Sequence, residues 1–341
     1  MTRPIEHGQT LIRIRSVQAR YAVGQLDEVL GVCERIADAV EFLIARHSLY
    51  PASAPRHAFV SCVTPEYRWG LLVWLRSLRR VSQKPIFLLV SRELVIPVDV
   101  AGVFQILVPG LYEEQYSFDR VEFQNVLNKL WIFALTPLTR IFHIDVDCLV
   151  LKDIDHLFDS MDFQVCPDYV ETRATQRFNS GVMVFNPTVA LRDRVFAMAP
   201  GVYSYDGGDQ GALNNILLDT VTFIDESYNL LRHFYYFSGR KNLNDVRILH
   251  YIVKKPWELN YRETPDPFLV ELDDLWTTFL TRDELLELVI DWRRNIFRVS
   301  ERARIESSRT RPPPAEAIGG GKRARLAERW RRLIRMPKLP R

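Results

Sequence analysis

The chain has 341 residues and an ordinary globular composition, with 47% hydrophobic and 26% charged residues. Its four cysteines show no C-x-x-C spacing, which argues against a disulfide framework or a zinc site and predicts reduced thiols. The net charge of +3 conceals an asymmetry, because residues 301–341 carry 13 Lys/Arg against four Glu, which leaves residues 1–300 at −6. A whole-chain charge argument for nucleic-acid binding is thereby excluded.

The first part of the chain has the spacing of a helix. Within residues 17–49, apolar residues recur every three or four positions, among them Val29, Ile36 and Leu43. We predict a helical extension over residues 1–55, which either packs on the main domain or forms a homodimer contact. The N-terminal region lacks the apolar segment of a signal peptide, and no apolar run reaches the roughly 20 residues of a membrane span. We therefore expect a cytoplasmic protein.

Beyond a proline-containing linker, short apolar strands alternate with helices. Strands are predicted at residues 58–64, 85–90, 103–108, 139–145, 163–166, 181–185 and 248–252, and helices at 67–81, 121–135 and 212–218. Continuous apolar strands in this order predict a mixed, mainly parallel sheet covered on both faces, which is an α/β nucleotide-binding architecture. We place this domain at residues 56–265. It carries neither the G-x-G-x-x-G fingerprint nor a P-loop.

Two carboxylates, Asp145 and Asp147, lie one residue apart at the end of the strand predicted at 139–145. Successive side chains of a strand point to opposite faces, so both carboxylates are expected to point the same way, with Val146 turned into the protein. Neighbouring carboxylates repel each other unless a cation lies between them, and Mg²⁺ and Mn²⁺ prefer oxygen ligands. The pair is therefore a candidate metal site, although short acidic pairs also occur without function.

A further helix is predicted after the main domain. Residues 282–299 have amphipathic spacing, and Thr281 and Glu284 stand at capping-box positions. We assign residues 266–300 to a helical C-terminal addition.

The last 41 residues, 301–341, form a basic, partly disordered tail that begins with a proline- and glycine-rich linker. In its segment 322–336, Leu326, Trp330 and Leu333 fall on one helical stripe among arginines. This pattern favours an anionic membrane surface as the partner. A solvated tail and a nucleic-acid-binding tail are the alternatives, and we do not expect nucleic acid.

The polar residues that follow the predicted strands come in a definite order. They are Asp145, Asp147, Asp168, Asn179, Asp209, Gln210, His250 and Lys255. Alone, each has a bland explanation, such as a turn residue or a histidine satisfied in the core. They lie in the motifs His143 to Val150, Cys166-Pro167-Asp168, Phe178-Asn179-Ser180-Gly181, Asp206-Gly207-Gly208-Asp209-Gln210 and His250 to Trp257, and Asn128-Lys129-Leu130-Trp131 is a further motif. On these motifs, about residues 57–260 resemble the family 8 glycosyltransferases, retaining nucleotide-sugar transferases that include glycogenin and bacterial lipopolysaccharide galactosyltransferases.

The resemblance implies one Rossmann-like domain of the GT-A type that transfers a hexose from a UDP-sugar. It places Asp145, Asp147 and His250 around Mn²⁺, with Mg²⁺ as the alternative, to bridge the donor's two phosphates. It places Asp209 and Gln210 beneath the anomeric carbon, where negative charge or a carbonyl dipole is most useful. Retention could arise by double displacement, for which Asp209 is the better nucleophile candidate, or by attack on the leaving-group face.

The resemblance also assigns contacts to the rest of the donor. It implies that Thr64 and Tyr67 contact the uridine and that Lys255 contacts the diphosphate. The residues implied for the sugar hydroxyls are Lys129, Asp168 and Asn179. The last motif departs from the family pattern, because Val253 stands where a glycine is usual and one residue fewer separates His250 from the lysine. Lys254 could therefore take the place of Lys255.

Alternatives remain open at this stage. A haloacid-dehalogenase-like phosphatase also ends a strand with Asp-x-Asp, but it leaves residues 178–181 and 255–257 without a role. A catalytically inactive family member could act as a binding protein. The leading acceptor is a glycan or glycolipid, with the basic tail placing the enzyme on the inner membrane leaflet. The glycogenin resemblance suggests instead self-glycosylation, on Tyr235 or Tyr236.

Overall fold

The computed structural model describes residues 10–13, 19–20, 26–91, 100–112, 126–168, 176–235, 243–252, 255–258 and 269–292. Contacts divide the chain into two units, residues 1–286 and residues 287–341. In the second unit the described residues, 287–292, are helical. All the elements that follow belong to the first unit.

The described strands are β1 (Thr10–Arg13), β2 (Ala19–Arg20), β3 (His57–Val63), β4 (Ile86–Val90), β5 (Val103–Leu107), β6 (Leu111–Tyr112), β7 (Arg140–Ile144), β8 (Cys148–Val150), β9 (Phe163–Pro167), β10 (Phe178–Phe185), β11 (Val221–Phe223), β12 (Leu230–Leu231) and β13 (Ile248–His250). The α-helices are α1 (Leu26–His47), α2 (Arg68–Arg79), α3 (Val189–Met198), α4 (Asp209–Leu217) and α5 (Val270–Thr277). Short 3₁₀ helices cover Pro65–Tyr67, Val126–Ala134, Asp155–Asp159, Leu218–Thr220, Glu226–Tyr228, Arg232–Phe234 and Leu243–Asp245.

The main sheet has eight strands in the order β1-β5-β4-β3-β7-β10-β9-β11. Its pairs from β1 to β7 are parallel, as is β9–β11, whereas β10 runs antiparallel to both of its neighbours. A second sheet has the order β12-β13-β8, and β2 pairs with β6. The predicted mixed, mainly parallel α/β sheet is therefore confirmed.

Two apolar clusters cover the two faces of the sheet. Along β3, Ala58 and Val60 belong to the cluster that includes α1, α3 and α4, whereas Phe59 and Val63 belong to the cluster that includes α2. Every residue of β4 and β7 is buried. A strand that is covered on both faces needs apolar side chains at successive positions, which explains the continuous apolar runs in the sequence.

The N-terminal region differs from its prediction. The helix expected over 17–49 begins at Leu26, and β2 occupies residues within the predicted range. β1 joins the main sheet beside β5. The apolar face of α1, with Val29, Ile36 and Leu43, is buried in the first cluster. The helix therefore packs on the main domain, and its apolar face gives no support to a homodimer contact.

The bounds of the elements near the predicted site also differ from the predicted bounds. β7 ends at Ile144, so Asp145 and Asp147 do not belong to the strand predicted at 139–145. The prediction that strand pleating aligns their carboxylates was wrong, because both residues lie at a turn that leads into β8. The helix predicted at 212–218 begins earlier, at Asp209. Within the helix predicted at 121–135, the described residues from Val126 form a 3₁₀ helix.

Candidate functional site

The order of strands in the main sheet reverses at β3, because β4 lies on one side of it and β7 on the other. The carboxyl ends of β3 and β7 therefore flank a topological switch point, which is where open α/β sheets bind ligands. Thr64 follows β3 at this edge, and Asp145 follows β7. The topology thus places a candidate site beside the acidic pair.

The second sheet brings His250 to the acidic pair. The turn after β7 is closed by a hydrogen bond of 3.0 Å from the Cys148 N–H to the Asp145 carbonyl, and β8 follows it. β8 pairs antiparallel with β13, so that His250 lies opposite Cys148. The Tyr251 N–H donates to the Asp147 carbonyl at 2.9 Å, and His250 Nε2 lies 3.2 Å from Asp147 Oδ1. Strand pairing therefore joins residues that are about a hundred positions apart.

Among the described residues, Asp147, Cys148 and His250 place potential ligand atoms within 4.8 Å of one another. Burial raises the pKa of the Cys148 thiol well above its usual value, which makes it a poor ligand. Burial also raises the pKa of Asp147, but Lys255 and His250 outweigh that effect and hold it below the usual range. A carboxylate oxygen and an imidazole nitrogen suit a divalent ion such as Mn²⁺, so the donor set fits the implied metal.

Asp145, the third predicted ligand, has partners of its own. Its carboxylate lies 2.9 Å from Lys129 Nζ and 3.1 Å from His143 Nε2. Burial raises the pKa of Asp145, but Lys129 and His143 outweigh that effect and hold it below the usual range. Lys129 Nζ also contacts Asp209 at 2.8 Å and Ser180 Oγ at 3.3 Å. A single buried ammonium thus connects Asp145, a predicted metal ligand, with Asp209, a predicted catalytic residue.

Asp209 and Gln210 occupy the first turn of α4, where the helix dipole favours a carboxylate. The Ser180 hydroxyl donates to Asp209 Oδ2 at 2.8 Å. The Gln210 amide nitrogen donates to Asp168 Oδ2 at 3.0 Å and to the Tyr205 hydroxyl at 3.1 Å, while its oxygen accepts from the Ser180 N–H at 3.3 Å. The structure therefore brings the predicted residues Asp168, Asp209 and Gln210 together.

Asn179 lies on β10, and its side chain faces the second sheet. Its Oδ1 accepts from the Gly181 N–H at 3.0 Å and from Asn229 Nδ2 at 2.9 Å. A Cβ atom at position 181 would lie 2.4 Å from His250 Cε1. The glycine is therefore required for the close approach of the histidine ring, and Asn179 supports that ring through Asn229.

The nucleotide side of the predicted site is built from the residues after β3 and β13. Tyr67 stands edge-on to Trp257, with ring centroids 5.9 Å apart. A Cβ at Gly70 would lie 2.6 Å from Trp257 and 2.8 Å from the Val146 carbonyl, so only glycine lets α2 approach. Thr64 precedes the 3₁₀ turn that carries Tyr67, and its carbonyl accepts from the Tyr67 N–H at 3.0 Å.

Lys255 points into this site. Its ammonium donates to Asp147 Oδ2 and, at 2.8 Å, to the Tyr251 carbonyl. The lysine residue is 8% exposed. Lys254, the alternative to Lys255, lies outside the described residues.

Sequence reasoning missed three residues that organise the site. They are His143, which contacts Asp145, Ser180, which contacts Asp209, and Asn229, which contacts His250. Ser180 could have been found, because it stands within the Asn-Ser-Gly motif beside Asn179, which was predicted as a site residue. Asn229 has no such signal, since it follows a 3₁₀ turn in an irregular segment.

A family model described as glycosyl transferase family 8 matches residues 90–260, half of the chain. The chain belongs to this family. It is 32% identical over 175 residues to glycogenin of Komagataella phaffii, which covers 43% of this chain and 41% of that protein. It is 30% identical to glycogenin-1 of Oryctolagus cuniculus over 223 residues, 60% of this chain and 66% of that protein. The chain spans about half the length of the curated relatives that it matches.

The fold has a solved counterpart. A crystal structure of the galactosyltransferase LgtC in complex with donor and acceptor sugar analogues is 16% identical, with a TM-score of 0.50, over 68% of this chain and 99% of that chain. The predicted family and its GT-A-type α/β fold are thereby confirmed. No helix of the described residues is long and apolar enough to span a bilayer.

Proposed function

We propose that this family 8 member is a metal-dependent, retaining hexosyltransferase that uses a UDP-sugar and acts on a glycan or glycolipid. The observation that carries this proposal is the contact between Asp147 and His250 at the switch-point edge of the sheet, 3.2 Å apart. An imidazole nitrogen and a carboxylate oxygen that face each other in a buried site require a proton or a cation between them. A divalent ion that accompanies a diphosphate meets that requirement.

Asp147 and His250 would hold the ion together with Asp145, whose carboxylate pairs with Lys129 and His143. Mn²⁺ suits this mixed oxygen and nitrogen set best, and Mg²⁺ is the alternative. When bound, such an ion supplies Lewis acidity that offsets the charge developing on the UDP leaving group. The chain's own contribution is to keep the carboxylates ionised, which Lys129 and Lys255 do through direct ion pairs.

The donor contacts follow the family resemblance. Thr64 and Tyr67 would contact the uridine, and Lys255, whose buried ammonium lies against Asp147, would contact the diphosphate. Lys129, Asp168 and Asn179 would hold the sugar hydroxyls. Their dense hydrogen bonding fixes polar groups before the donor arrives, which reduces the reorganisation that the reaction requires.

Asp209 and Gln210 are the proposed catalytic residues. Asp209 Oδ2 lies 2.8 Å from Lys129 Nζ and accepts a hydrogen bond of 2.8 Å from the Ser180 hydroxyl. A carboxylate in that position stabilises positive charge at an anomeric carbon, and it is a better nucleophile than the amide of Gln210. Both routes to retention, double displacement and attack on the leaving-group face, make use of this arrangement.

A donor panel tests the proposal. The protein is incubated with Mn²⁺ and, in turn, with UDP-glucose, UDP-galactose, UDP-N-acetylglucosamine and UDP-glucuronic acid, and the release of UDP is measured. Release with one donor, lost in the Asp147→Asn variant, supports the proposal. Phosphate release from phosphomonoesters without UDP release would favour a phosphatase. The absence of both UDP release and phosphate release would favour a binding protein.

Self-glycosylation is a second candidate, because the matched relatives include glycogenins. Of the two tyrosines considered as acceptors, Tyr235 is 3% exposed and Tyr236 lies outside the described residues. The burial of Tyr235 makes it a poor acceptor without a rearrangement. Intact-mass spectrometry after incubation with donor and Mn²⁺ would reveal added hexose units.

We further propose a cytoplasmic enzyme whose basic segment 322–336 binds the anionic surface of a membrane, close to a lipid-linked acceptor. The proposal rests on the sequence pattern alone, since this segment lies outside the described residues. Removal of residues 310–341 should abolish binding to anionic liposomes and leave activity on a soluble acceptor. Unchanged liposome binding would contradict it.

A further inference from the structure

A chain of hydrogen bonds runs behind the His250 ring. The Gly181 N–H donates to Asn179 Oδ1 at 3.0 Å, Asn229 Nδ2 donates to the same oxygen at 2.9 Å, and Asn229 Oδ1 lies 2.9 Å from His250 Nδ1. All three residues are buried, with exposures of 7% for Asn179, 2% for Asn229 and 4% for His250. Water therefore does not compete for these bonds.

The donor and acceptor of every hydrogen bond in this chain follow from the backbone N–H of Gly181. A backbone N–H can only donate, so the Asn179 atom that it contacts is the oxygen. That oxygen can only accept, so the Asn229 atom facing it is the amide nitrogen. The opposite atom of the same amide is then an oxygen, and His250 Nδ1 must carry a hydrogen to bond with it. Turning over the Asn179 amide would lose both of its bonds, and turning over the Asn229 amide would set its oxygen against the Asn179 oxygen.

This hydrogen on Nδ1 determines the state of Nε2, on the other side of the His250 ring. In a neutral imidazole with its hydrogen on Nδ1, the lone pair is on Nε2. His250 Nε2 lies 3.2 Å from Asp147 Oδ1, the carboxylate proposed to share the metal. The ring also packs closely on Gly181, since even a methyl group there would lie 2.4 Å from Cε1. Both the tautomer and the orientation of His250 are thus set by its neighbours.

We propose that Asn229 is a positioning residue of the metal centre, which fixes His250 as the Nδ1–H tautomer so that Nε2 presents its lone pair beside Asp147. The inference rests on the proposed function, because it takes the cation to be the divalent ion of the transfer reaction. The partner of a metal-ligating histidine sets its tautomer and basicity, and loss of such a partner typically lowers metal affinity by about 10- to 100-fold.

The test compares the full-length chain with two substitutions. Asn229→Leu removes the acceptor at nearly constant volume, whereas Asn229→Asp keeps an oxygen facing Nδ1. Asn128→Leu is the matched control, because Asn128 is also a buried asparagine, 5% exposed, whose side chain accepts from the Leu111 backbone. Two readouts are taken without any donor: the Mn²⁺ dissociation constant by electron paramagnetic resonance, and the ¹⁵N shifts of the His250 ring at a pH where it is neutral.

We expect the leucine variant to bind Mn²⁺ about 10- to 100-fold more weakly and to show the Nε2–H tautomer. The aspartate variant and the Asn128 control should keep the Nδ1–H tautomer. Unchanged Mn²⁺ affinity and an unchanged tautomer in a folded leucine variant would overturn the inference. If that variant does not fold, an Nε2–H signal in the aspartate variant would overturn it. Failure of the wild type to bind Mn²⁺ would instead refute the proposed function, while the ring shifts would still decide the role of Asn229.

Discussion

Replacing Lys255 should have opposite effects on the two ligands of the proposed site. The Lys255 ammonium donates to Asp147 Oδ2 within a pocket where the lysine is 8% exposed. Burial lowers the pKa of Lys255, but Asp147 outweighs that effect, so the pKa is raised and the group is charged. In this state the lysine neutralises the carboxylate that the metal needs, and metal binding must displace it or share the carboxylate with it.

The size of the effect follows from the charge pair. Two unit charges about 4 Å apart interact by about 1 kcal/mol in water and about 4 kcal/mol at an effective dielectric constant of 20. Lys255→Met removes this competition and keeps most of the apolar stem. Since about 1.4 kcal/mol corresponds to a factor of ten, the variant should bind free Mn²⁺ between about 5-fold and several hundred-fold more tightly. It should bind UDP in saturating Mn²⁺ more weakly, because the diphosphate loses a cation.

The assay is a titration of Mn²⁺ alone, followed by calorimetry of UDP in saturating Mn²⁺. Lys84→Met is the matched control, because Lys84 is 3.7 Å from Asp155, with a side chain 31% exposed. An exposed pair of this kind contributes little, so the control should change neither constant. A Lys255→Met variant whose Mn²⁺ affinity falls or stays the same would refute this reasoning.

Three other changes test separate parts of the site and fold. Asp209→Asn should nearly abolish transfer while UDP–Mn²⁺ binding persists, as measured by UDP release and calorimetry. Gly181→Ala should lower Mn²⁺ affinity at least tenfold, because the new methyl group would lie 2.4 Å from His250 Cε1. Hydrogen bonds from Arg76 lower the pKa of Glu284 to about 2, so this pair stabilises the fold above the usual carboxyl pKa and ceases to do so as the pH falls toward 2. Arg76→Gln should therefore cost about 1–2 kcal/mol of unfolding free energy at neutral pH, and the difference from wild type should shrink between pH 4.5 and 2 in urea titrations.

Each of these three variants has a control or a result that would contradict its prediction. Wild-type-like turnover by the Asp209 variant would remove it from the catalytic assignment. Gly31→Ala is the control for Gly181, because a Cβ there meets only Arg35, at 3.7 Å, and alanine favours the helix. Equal Mn²⁺ affinity in the two glycine variants would contradict the steric argument. A stability difference for the Arg76 variant that is constant across the pH range would contradict the ion-pair account.

The sequence predicted the sheet well because its strands are covered on both faces. Such strands carry uninterrupted apolar runs, and those at β3, β4 and β7 were placed within about two residues. The short strands β1 and β8 were missed, because three or four residues carry too little pattern to distinguish from a turn or a longer strand. The homodimer hypothesis for the N-terminal helix gained no support. The apolar face of a helix predicts that the face is buried, but it does not show whether the same domain or a second copy of the chain covers it.

The structure brings the predicted site residues together by a geometry that differs from the expected one. Asp145 and Asp147 were expected to align through strand pleating, but they lie at a turn, and His250 reaches them through the pairing of β13 with β8. That pairing is a long-range event, which no local pattern encodes. Asn229 was missed for the same reason: its importance lies in a hydrogen bond to His250, and its own neighbourhood in the sequence is an ordinary turn.

The central claim is that Asp147 and His250 hold a divalent ion that presents a UDP-sugar. Calorimetric titration of UDP into the protein, with Mn²⁺ and then with EDTA, tests it most directly. We predict binding with Mn²⁺ that is lost in EDTA and in the Asp147→Asn variant. Equal UDP affinity with and without the metal, or an Asp147→Asn variant that binds UDP–Mn²⁺ as the wild type does, would contradict the account.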